Sequence, residues 1–317
     1  TTGSNAKLGE GEYLLAEADE SDASFLFLNP MISVVTNIDL DHMDTYEHDE
    51  NKLKQAFIQF LHNLPFYGRA IVCGEDKRLQ EIIPSINRPT TTYGLSDKFD
   101  IYATEVVAVG GSMSYNVHVK WLNLIYPIVV NMPGVHNVLN SLSVIAVALE
   151  CDGKIEDIAR GLANFHGVGR RCQHYPEIQH AGKTALLIDD YGHHPVELKA
   201  TLSALRGAYP EKRMVLIFQP HRYTRTRDLF DDFVSVLSDV DQLIITEVYP
   251  AGEKPIALAD GRALVRAIRL QGNENAIFAE DIVDAKRKLF NILQQDDLVV
   301  TMGAGSVGKL PAMLNND

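Results

Sequence analysis

Cysteine is scarce in this sequence, and long apolar runs are missing. The 317 residues include three cysteines, Cys73, Cys151 and Cys172. Their odd number and wide spacing disfavour a disulfide framework and a zinc site and fit a reducing cytoplasm. No apolar run approaches the roughly 18 residues of a membrane span, and the amino terminus has no basic region followed by an apolar stretch. We therefore expect a cytoplasmic protein without membrane insertion.

Positive charge is also in short supply. The chain has 29 Lys and Arg residues against 42 Asp and Glu residues, which gives a net charge of −13. Because this charge repels phosphate at long range, we expect no nucleic acid and no anionic membrane surface as a partner. A basic turn at residues 222–227 stands out against this background. The 46% of apolar residues can fill two cores, and the length exceeds what one core usually organises.

The first half of the chain predicts alternating strands and helices. Short apolar runs are typical of buried parallel strands, and apolar residues at three- and four-residue spacing predict amphipathic helices. Strand-like runs broken by glycines predict an antiparallel ribbon. The predicted elements are strands at 13–16, 32–35 and 70–72, helices at 50–63, 136–150 and 155–164, and a small antiparallel ribbon over 100–130.

Two glycines interrupt the pattern at Gly167–Arg171, and a strand resumes near His174. We place the boundary there, which gives domains 1–168 and 169–317. The second domain predicts strands at 185–188, 213–218, 242–246 and 297–301 and helices at 196–207, 226–238, 259–270 and 281–293. This alternation implies right-handed crossovers and a doubly wound sheet. The fold class is therefore α/β, with a mostly parallel sheet and a ribbon followed by a Rossmann-like doubly wound domain.

Two polar runs are the most informative feature of the sequence. Asp189–Pro195 and His221–Asp228 each follow a short apolar run, where a strand should give way to a helix. Ligands bind at such carboxyl ends of strands in open parallel sheets. A single polar residue there is usually a helix cap or a solvated loop residue. A carboxylate, a phenol, imidazoles and arginines clustered at two such turns instead indicate an active site.

Two glycine motifs need separate interpretation. Gly182–Thr184 matches the last three residues of a phosphate loop. However, Glu177 occupies the position of the first glycine, and a strand follows instead of a helix. Gly303–Gly308 follows a strand as a dinucleotide fingerprint does, yet no second strand with a ribose-binding acid can follow before Asp317. We interpret its glycines as a turn that allows close backbone approach and a secondary ligand contact.

The polar runs resemble the carboxy-terminal domain of the Mur ligases, the ATP-dependent amide-forming enzymes of peptidoglycan assembly. Further segments follow in the family's order, so the resemblance covers nearly the whole chain: Glu17–Asp22, Thr36–Asp44, Pro133–Asn137 with Asn140, and Gly169–Arg171. The chain departs from the family at Cys172 and Gln173, where an aromatic and an acid usually stand, which concerns packing more than chemistry.

The family's central domain opens with a Gly-Lys-Thr phosphate loop, which should lie upstream of Glu17. The chain begins too late to contain it. The resemblance thus implies a partial, N-terminally truncated central ATPase domain at 1–168 and an amino-acid and substrate domain at 169–317. We expect this chain to be inactive by itself.

The resemblance implies an ADP-forming carbon–nitrogen ligase of peptidoglycan synthesis, and hence of cell-wall biogenesis, cell shape and cell division. The implied substrates are ATP, UDP-N-acetylmuramate and L-alanine. The lactyl carboxylate would attack the γ-phosphorus of ATP, and the amine of L-alanine would then displace phosphate from the acyl phosphate. Preorganised cations would stabilise the negative charge that develops.

The resemblance also assigns candidate site residues. Tyr191, His193, Arg222 and Arg225 would surround the muramyl carboxylate and the incoming amino acid, with His193 able to position the amine or take its proton. His136, Asn137 and Asn140 would face adenine. Arg171 would reach the γ-phosphate through its planar guanidinium, with Arg170 as the competitor. Asp190 would bind the ribose, with Asp189 as a structural cap.

Two acidic segments suggest a metal site. Glu17 ends a predicted strand and His42 follows another, so the two can meet at neighbouring strand ends. Carboxylate oxygen is what Mg²⁺ prefers, and a histidine can orient a metal-bound water. The family places a glutamate and a histidine here to hold Mg²⁺ around the phosphates, with Mn²⁺ as a substitute. Asp22 and Asp44 fit helix caps better.

Three alternatives remain open. The murein tripeptide ligase of cell-wall recycling shares the fold and most motifs. A folate-polyglutamylating or cyanophycin-type ligase is disfavoured by His193–Pro195 and His221–Asp228. A non-catalytic nucleotide-binding module fits the missing phosphate loop.

Overall fold

The computed structural model describes residues 8–40, 43–109, 111–165 and 167–315. Two compact units account for the chain, each with its own six-stranded sheet. The first unit comprises Thr1–Val107, Met113–Asn131 and Val135–Phe165, and the second comprises Ala108–Ser112, Met132–Gly134 and His166–Asp317.

The first sheet is parallel at one side and antiparallel at the other. Its strands lie in chain order: β1 (Ile32–Val35), β2 (Arg69–Cys73), β3 (Thr90–Gly94), β4 (Ile101–Val109), β5 (Ser112–Val119) and β6 (Leu124–Val130). Strands β1 to β4 pair in parallel, whereas β5 and β6 pair antiparallel. The mostly parallel sheet with a small antiparallel ribbon is therefore confirmed.

Helices flank this sheet where the apolar spacing predicts them. They are α1 (Glu50–His62), α2 (Lys77–Ile82), α3 (Val135–Glu150) and α4 (Ile155–Ala163). Asp49 caps α1 by accepting a hydrogen bond from the Asn51 amide at 2.8 Å, and Leu53, Phe57 and Phe60 of that helix are buried. The short elements α2 and β3 are not predicted, because α2 is too short to show a helical period and the sequence of β3, Thr-Thr-Thr-Tyr-Gly, is not an apolar run.

The predicted strand at Tyr13–Ala16 is wrong. This segment has no regular structure, and Tyr13, Leu14 and Leu15 are 67%, 93% and 93% exposed. A parallel strand needs a neighbour for its hydrogen bonds, and in the described part of the chain β1 pairs only with β2. An apolar run alone does not supply that pairing.

The second sheet is the mostly parallel, doubly wound sheet that the sequence predicts. Its strands are β7 (Gln173–His180), β8 (Lys183–Asp190), β9 (Met214–Phe218), β10 (Gln242–Thr246), β11 (Ala276–Ala279) and β12 (Asp297–Met302), and they lie in the order β11-β10-β9-β12-β8-β7. All pairs are parallel except β7 with β8. Strands β7 and β11 lie at the edges, and every residue of β9, β10 and β12 between them is buried.

Six helices of the second unit lie among the described residues: α5 (Pro195–Ala208), α6 (Tyr223–Asp228), α7 (Phe230–Leu237), α8 (Gly261–Leu270), α9 (Ile282–Ile292) and α10 (Leu310–Leu314). The single helix expected at 226–238 is wrong, since Leu229 (φ −113°, ψ 25°) leaves the helical region and divides α6 from α7. The basic run thus forms its own short helix. Strand β11 was not predicted.

Phe99 packs against two glycines at the ends of β2 and β3. A methyl group added to Gly74 or Gly94 would lie 1.9 Å or 2.4 Å from the Phe99 ring.

We expect Gly74→Ala to lower the free energy of unfolding of the first unit by about 1–3 kcal/mol, because the Phe99 ring must move. Gly161→Ala is the matched control. Gly161 lies in α4 with open space around it, so this change should stabilise by about 0.5–1 kcal/mol. Chemical denaturation measures both, and equal effects would contradict the packing.

Candidate active site

The carboxyl ends of three neighbouring strands in the second unit lie at one level. Asp190 of β8 aligns with Met302 of β12, and Met302 aligns with Phe218 of β9. The two polar runs follow β8 and β9, so the topology brings them to the same edge of the sheet. This is the edge where open parallel sheets bind ligands.

Arg170 and Asp189 form a buried ion pair at this edge. Asp189 has no exposed surface, and its carboxylate accepts hydrogen bonds from Arg170 Nε at 2.8 Å and from the Thr301 hydroxyl at 2.6 Å. Arg170 Nη2 also donates to the Gly303 carbonyl at 2.6 Å. Burial raises the pKa of Asp189, and Arg170 and Thr301 oppose that shift. Arg170 is therefore committed to structure, which leaves Arg171 as the candidate phosphate ligand.

Asp190 is the buried last residue of β8. One carboxylate oxygen accepts from the Gly192 amide at 2.7 Å and the other from the Cys172 amide at 2.9 Å. A methyl group on Gly192 would lie 2.8 Å from this carboxylate, so glycine is required there. Burial, and then the charge of Asp190, raise the pKa of the Cys172 thiol to about 12. Both carboxylate oxygens of Asp190 already accept backbone hydrogen bonds. The contact of Asp190 with the ribose stays a prediction.

Glu197 links several groups at the start of α5. Its Oε2 accepts from the amides of His193 and His194 at 2.9 Å and 3.2 Å, and its Oε1 lies 3.3 Å from Arg171 Nη1. With the His194 side chain it forms a capping box. Burial alone would raise the pKa of Glu197, but the His193 amide, the nearby imidazole and Arg171 lower it overall. The carboxylate thus stays charged between an arginine and a histidine.

Four rings line this edge in a row: Tyr191, His193, His221 and Tyr249. Neighbouring centroids are 5.4 Å, 5.4 Å and 5.6 Å apart. Arg170 and Arg171 lie over the Tyr191 ring at 5.1 Å and 5.7 Å. Burial, followed by the charges of His193, Arg225 and Arg222, lowers the pKa of His221 to about 4. His221 is therefore a neutral ring among cations at neutral pH.

The basic run continues the site beyond the ring row. Arg225 is buried, with 9% of its surface exposed. Arg222 precedes α6 with φ 69° and ψ 132°, a conformation that costs a residue other than glycine about 1–3 kcal/mol. Strain of this size at a cluster of charged groups is typical of functional sites.

The loop after β10 is a part of the site that the sequence interpretation missed. Tyr249 pairs with His221 as a parallel bridge, and Glu253 accepts two hydrogen bonds from Thr224. The rule that ligands bind at the carboxyl ends of strands applies to β10 as well as to β8 and β9. That rule was the signal that would have found it.

The glycine turn at 303–308 packs tightly at the same edge. A methyl group on Gly305 would lie 2.5 Å from Gln219 Oε1, and one on Gly308 would lie 2.5 Å from the Arg170 guanidinium carbon. The segment Ser306–Lys309 is a short 3-10 helix that leads into α10. The glycines therefore allow close packing, as expected, and the secondary ligand contact stays a prediction.

The other glycine motif, at 182–184, leads into a strand, since Lys183 is the first residue of β8. This agrees with the rejection of a phosphate loop there.

The candidate adenine ligands lie on α3 in the first unit. His136 Nε2 and Asn137 Nδ2 are 3.1 Å apart. Asn137 is buried, whereas Asn140 is exposed. The spacing of three residues puts the two asparagines on neighbouring turns, but their exposure differs.

The metal site is only partly described. Glu17 is exposed, and His42 lies outside the described residues. A cavity of about 210 Å³ in the first unit is lined by polar groups that include Glu20, Thr36 and Asp39. Within the described ranges, no three His, Cys, Asp or Glu side chains cluster as metal ligands. An exposed carboxylate nevertheless suits Mg²⁺, which keeps several waters and phosphate oxygens as ligands.

Asp22 and Asp44 behave as local structural groups. Asp22 accepts from the Ser24 amide at 2.9 Å, and Asp44 lies 2.9 Å from His48 Nε2.

Comparison with known proteins decides the family. Residues 4–148 match the Mur ligase middle domain, and residues 170–305 match the Mur ligase glutamate ligase domain. The chain belongs to the Mur ligase family. The family expected from the motifs is therefore confirmed, and so is the enzyme class at the level of the family, since Mur ligases are ATP-dependent ligases.

Relatives with high identity share one name. The UDP-N-acetylmuramate–L-alanine ligase of Neisseria meningitidis serogroup A is 58% identical over 316 residues, which cover 98% of this chain and 67% of the relative. The Chromobacterium violaceum enzyme of the same name is 58% identical over 311 residues, with 98% and 67% coverage. This chain therefore spans about two thirds of the length of these relatives.

A solved Mur ligase has the same fold. The UDP-N-acetylmuramate-alanine ligase of Thermotoga maritima superposes with a TM-score of 0.73 at 23% identity, over 93% of this chain and 61% of that one. The α/β fold class is confirmed. Among the described residues, no helix is long and apolar enough to cross a membrane.

Because of the buried ion pair, we expect substitution of two neighbouring arginines to lower the free energy of unfolding by different amounts. Arg170→Met should lower the free energy of unfolding of the second unit by about 3 kcal/mol, because Asp189 would be left as an uncompensated buried charge. Arg171→Met should cost less than about 1 kcal/mol, since its pair with Glu197 is partly exposed. Calorimetry of the variants measures both. Adding Asp189→Asn should recover part of the Arg170→Met loss, and no recovery would argue against the pair.

His221 predicts a pH effect on stability. Its folded pKa of about 4 lies below the unfolded value near 6.5. Between these values the unfolded chain binds more protons, so stability should fall as the pH drops from 6.5 towards 4. NMR titration of the imidazole should give a midpoint near 4, with His221→Asn assigning the signal. The same variant should lose part of the acid sensitivity, and a midpoint at 6.5 would contradict the burial.

Proposed function

We propose that the protein joins L-alanine to the lactyl carboxylate of UDP-N-acetylmuramate, with ATP converted to ADP and phosphate. The single observation that carries this proposal is the cluster of Arg171, Tyr191, His193, Arg222 and Arg225 at one edge of the second sheet. The names of relatives that are 58% identical over 98% of the chain support the same substrates.

The geometry suits a reaction that builds negative charge twice. Attack of the carboxylate on the γ-phosphorus of ATP gives an acyl phosphate, and attack of the amine on the acyl carbon releases phosphate. Fixed cations stabilise both transition states without reorganising. We assign Arg171 to the γ-phosphate and Arg222 and Arg225 to the substrate carboxylates. The protein itself forms no covalent intermediate.

His193 is the proposed amine-positioning group and proton acceptor. Its Nδ1 lies 3.2 Å from the Tyr191 carbonyl and 3.6 Å from Glu197 Oε2. These contacts orient the His193 imidazole within the row of aromatic side chains. His221 lies beside it and stays neutral, so it adds no positive charge next to the amine.

The remaining assignments concern the nucleotide and the metal. We assign His136, Asn137 and Asn140 to adenine, Asp190 to the ribose, and Glu17 and His42 to Mg²⁺, with Mn²⁺ as a substitute. The metal would neutralise phosphate charge.

We propose a domain boundary that gives domains 1–168 and 169–317. We also propose that the protein is located in the cytoplasm and has no nucleic acid as a partner.

Two alternatives stay open. A murein tripeptide ligase would use the same site with a larger amine, and the murein peptide ligase of Psychrobacter arcticus has the same fold (TM-score 0.61, 19% identity). The second alternative is a nucleotide-binding module without catalysis, which would form no product.

Mass spectrometry of the products tests the proposal. This chain and a version extended to the full length of its relatives are incubated with ATP, Mg²⁺, UDP-N-acetylmuramate and either L-alanine or the tripeptide. We expect UDP-N-acetylmuramoyl-L-alanine from the extended form only. Tripeptide product alone would favour the recycling ligase, and no product from either amine would favour the binding module.

Substitution of His193 tests its role within that reaction. We expect His193→Ala in the extended form to lower turnover by roughly 10²–10⁴-fold, as loss of a proton-transferring group does, with ATP binding unchanged. His174→Ala is the control, since His174 lies in edge strand β7. Unchanged turnover in His193→Ala would remove the assignment.

A further inference from the structure

Arg222 holds a strained backbone conformation in the candidate site. Its φ of 69° with ψ of 132° lies in a region that L-residues other than glycine rarely adopt. Such a conformation persists only where the surroundings over-determine it. The contacts on either side of Arg222 therefore fix its backbone and, with it, the direction of its side chain.

The Arg222 carbonyl accepts from the amide and the hydroxyl of Thr226 in α6, and the other contacts come from one loop, the segment Tyr249–Glu253 after β10. The Tyr249 amide donates to the Pro220 carbonyl at 2.8 Å, and the Arg222 amide donates to the Tyr249 carbonyl at 2.9 Å. Glu253 accepts from the Thr224 amide at 3.0 Å and from the Thr224 hydroxyl at 2.7 Å. Arg222 is thus held through its own amide and through the residue two positions later.

We propose that Glu253 is a positioning residue for Arg222: by holding Thr224 from a separate loop, it fixes the backbone that aims the arginine at the amino-acid carboxylate. The substrate part of this inference rests on the proposed function. Glu253 acts through Thr224 and Arg222 and needs no contact with the substrate.

The electrostatics of Glu253 agree with this role. Burial alone would raise its pKa, but the hydrogen bonds from Thr224, the hydrogen bond from the Tyr223 backbone and the charge of Arg222 lower it overall. Glu253 is therefore ionised at neutral pH, and hydrogen bonds to an ionised acceptor are roughly twice as strong as neutral ones.

The arrangement differs from helix capping by a residue that directly precedes the helix. Asp260 caps α8 from the position directly before the helix, by accepting from the Ala263 amide at 2.7 Å. Glu253 instead reaches α6 from 29 residues away. It ties the loops after β9 and β10 together at the strained residue.

Kinetics of the full-length ligase test the proposal. We expect Glu253→Ala to raise the KM for L-alanine by roughly 10- to 100-fold, because a small displacement of Arg222 misplaces the substrate, while the KM for ATP stays unchanged. Glu253→Gln should be milder, since its amide oxygen still accepts one bond from Thr224. Asp260→Ala is the control: it should lower the melting temperature without changing either KM.

A double variant tests the route through Thr224. If Glu253 acts through Thr224, then Thr224→Val combined with Glu253→Ala should be no worse than Glu253→Ala alone. Additive losses would mean independent roles and would overturn the proposal. An unchanged KM for L-alanine in Glu253→Ala, or parallel rises in both KM values, would overturn it as well.

A crystal structure of Glu253→Ala separates this inference from the proposed function. We expect the φ of Arg222 to relax to a negative value. If the unmutated full-length protein forms no product, the proposed function fails, and the φ of Arg222 still decides whether Glu253 holds that residue. A positive φ retained in the variant would overturn the proposal in either case.

Discussion

The site of the second unit depends on one buried ion pair, Arg170 with Asp189. A carboxylate without solvent contact is tolerated only when it is paired and hydrogen-bonded, because taking the charge out of water is costly. Arg170 and Thr301 together meet that requirement. Through Arg170 the pair also fixes the Gly303 carbonyl and the Tyr191 amide. The strand ends β8 and β12 and the segment before β7 are thereby held in one arrangement, from which Arg171 projects.

The site combines local positive charge with a strongly acidic chain. Three arginines, Arg171, Arg222 and Arg225, lie at one sheet edge in a protein whose net charge is −13. Their spacing is maintained by carboxylates, Glu197 on one side and Glu253 on the other, and by the neutral ring of His221. Cations fixed in this way lose little entropy on binding anions, which is the advantage of a preorganised site.

Sequence reasoning found the elements whose signal is local. The apolar strands β8 and β9 and the helix α1 have clear patterns, and the strand-end rule located Asp189–Pro195 and His221–Asp228. The sequence alone does not predict features that depend on tertiary contacts. Tyr13–Ala16 is apolar but has no strand neighbour, Leu229 interrupts a helix that its composition would continue, and Glu253 becomes meaningful only once β10 lies beside β9. Likewise, Arg170 and Arg171 are equivalent in sequence, and only the position of Asp189 separates them.

The contact between Cys172 and Asp190 has a chemical consequence beyond the site. Thiol reagents react with the thiolate, and a pKa of about 12 leaves Cys172 protonated at neutral pH. Burial raises the pKa of Cys73 too, whereas Cys151, just after α3, is partly exposed. Among these three cysteines, Cys151 is therefore the accessible position for a fluorescent or spin label, and neither Cys73 nor Cys172 has to be replaced to use it.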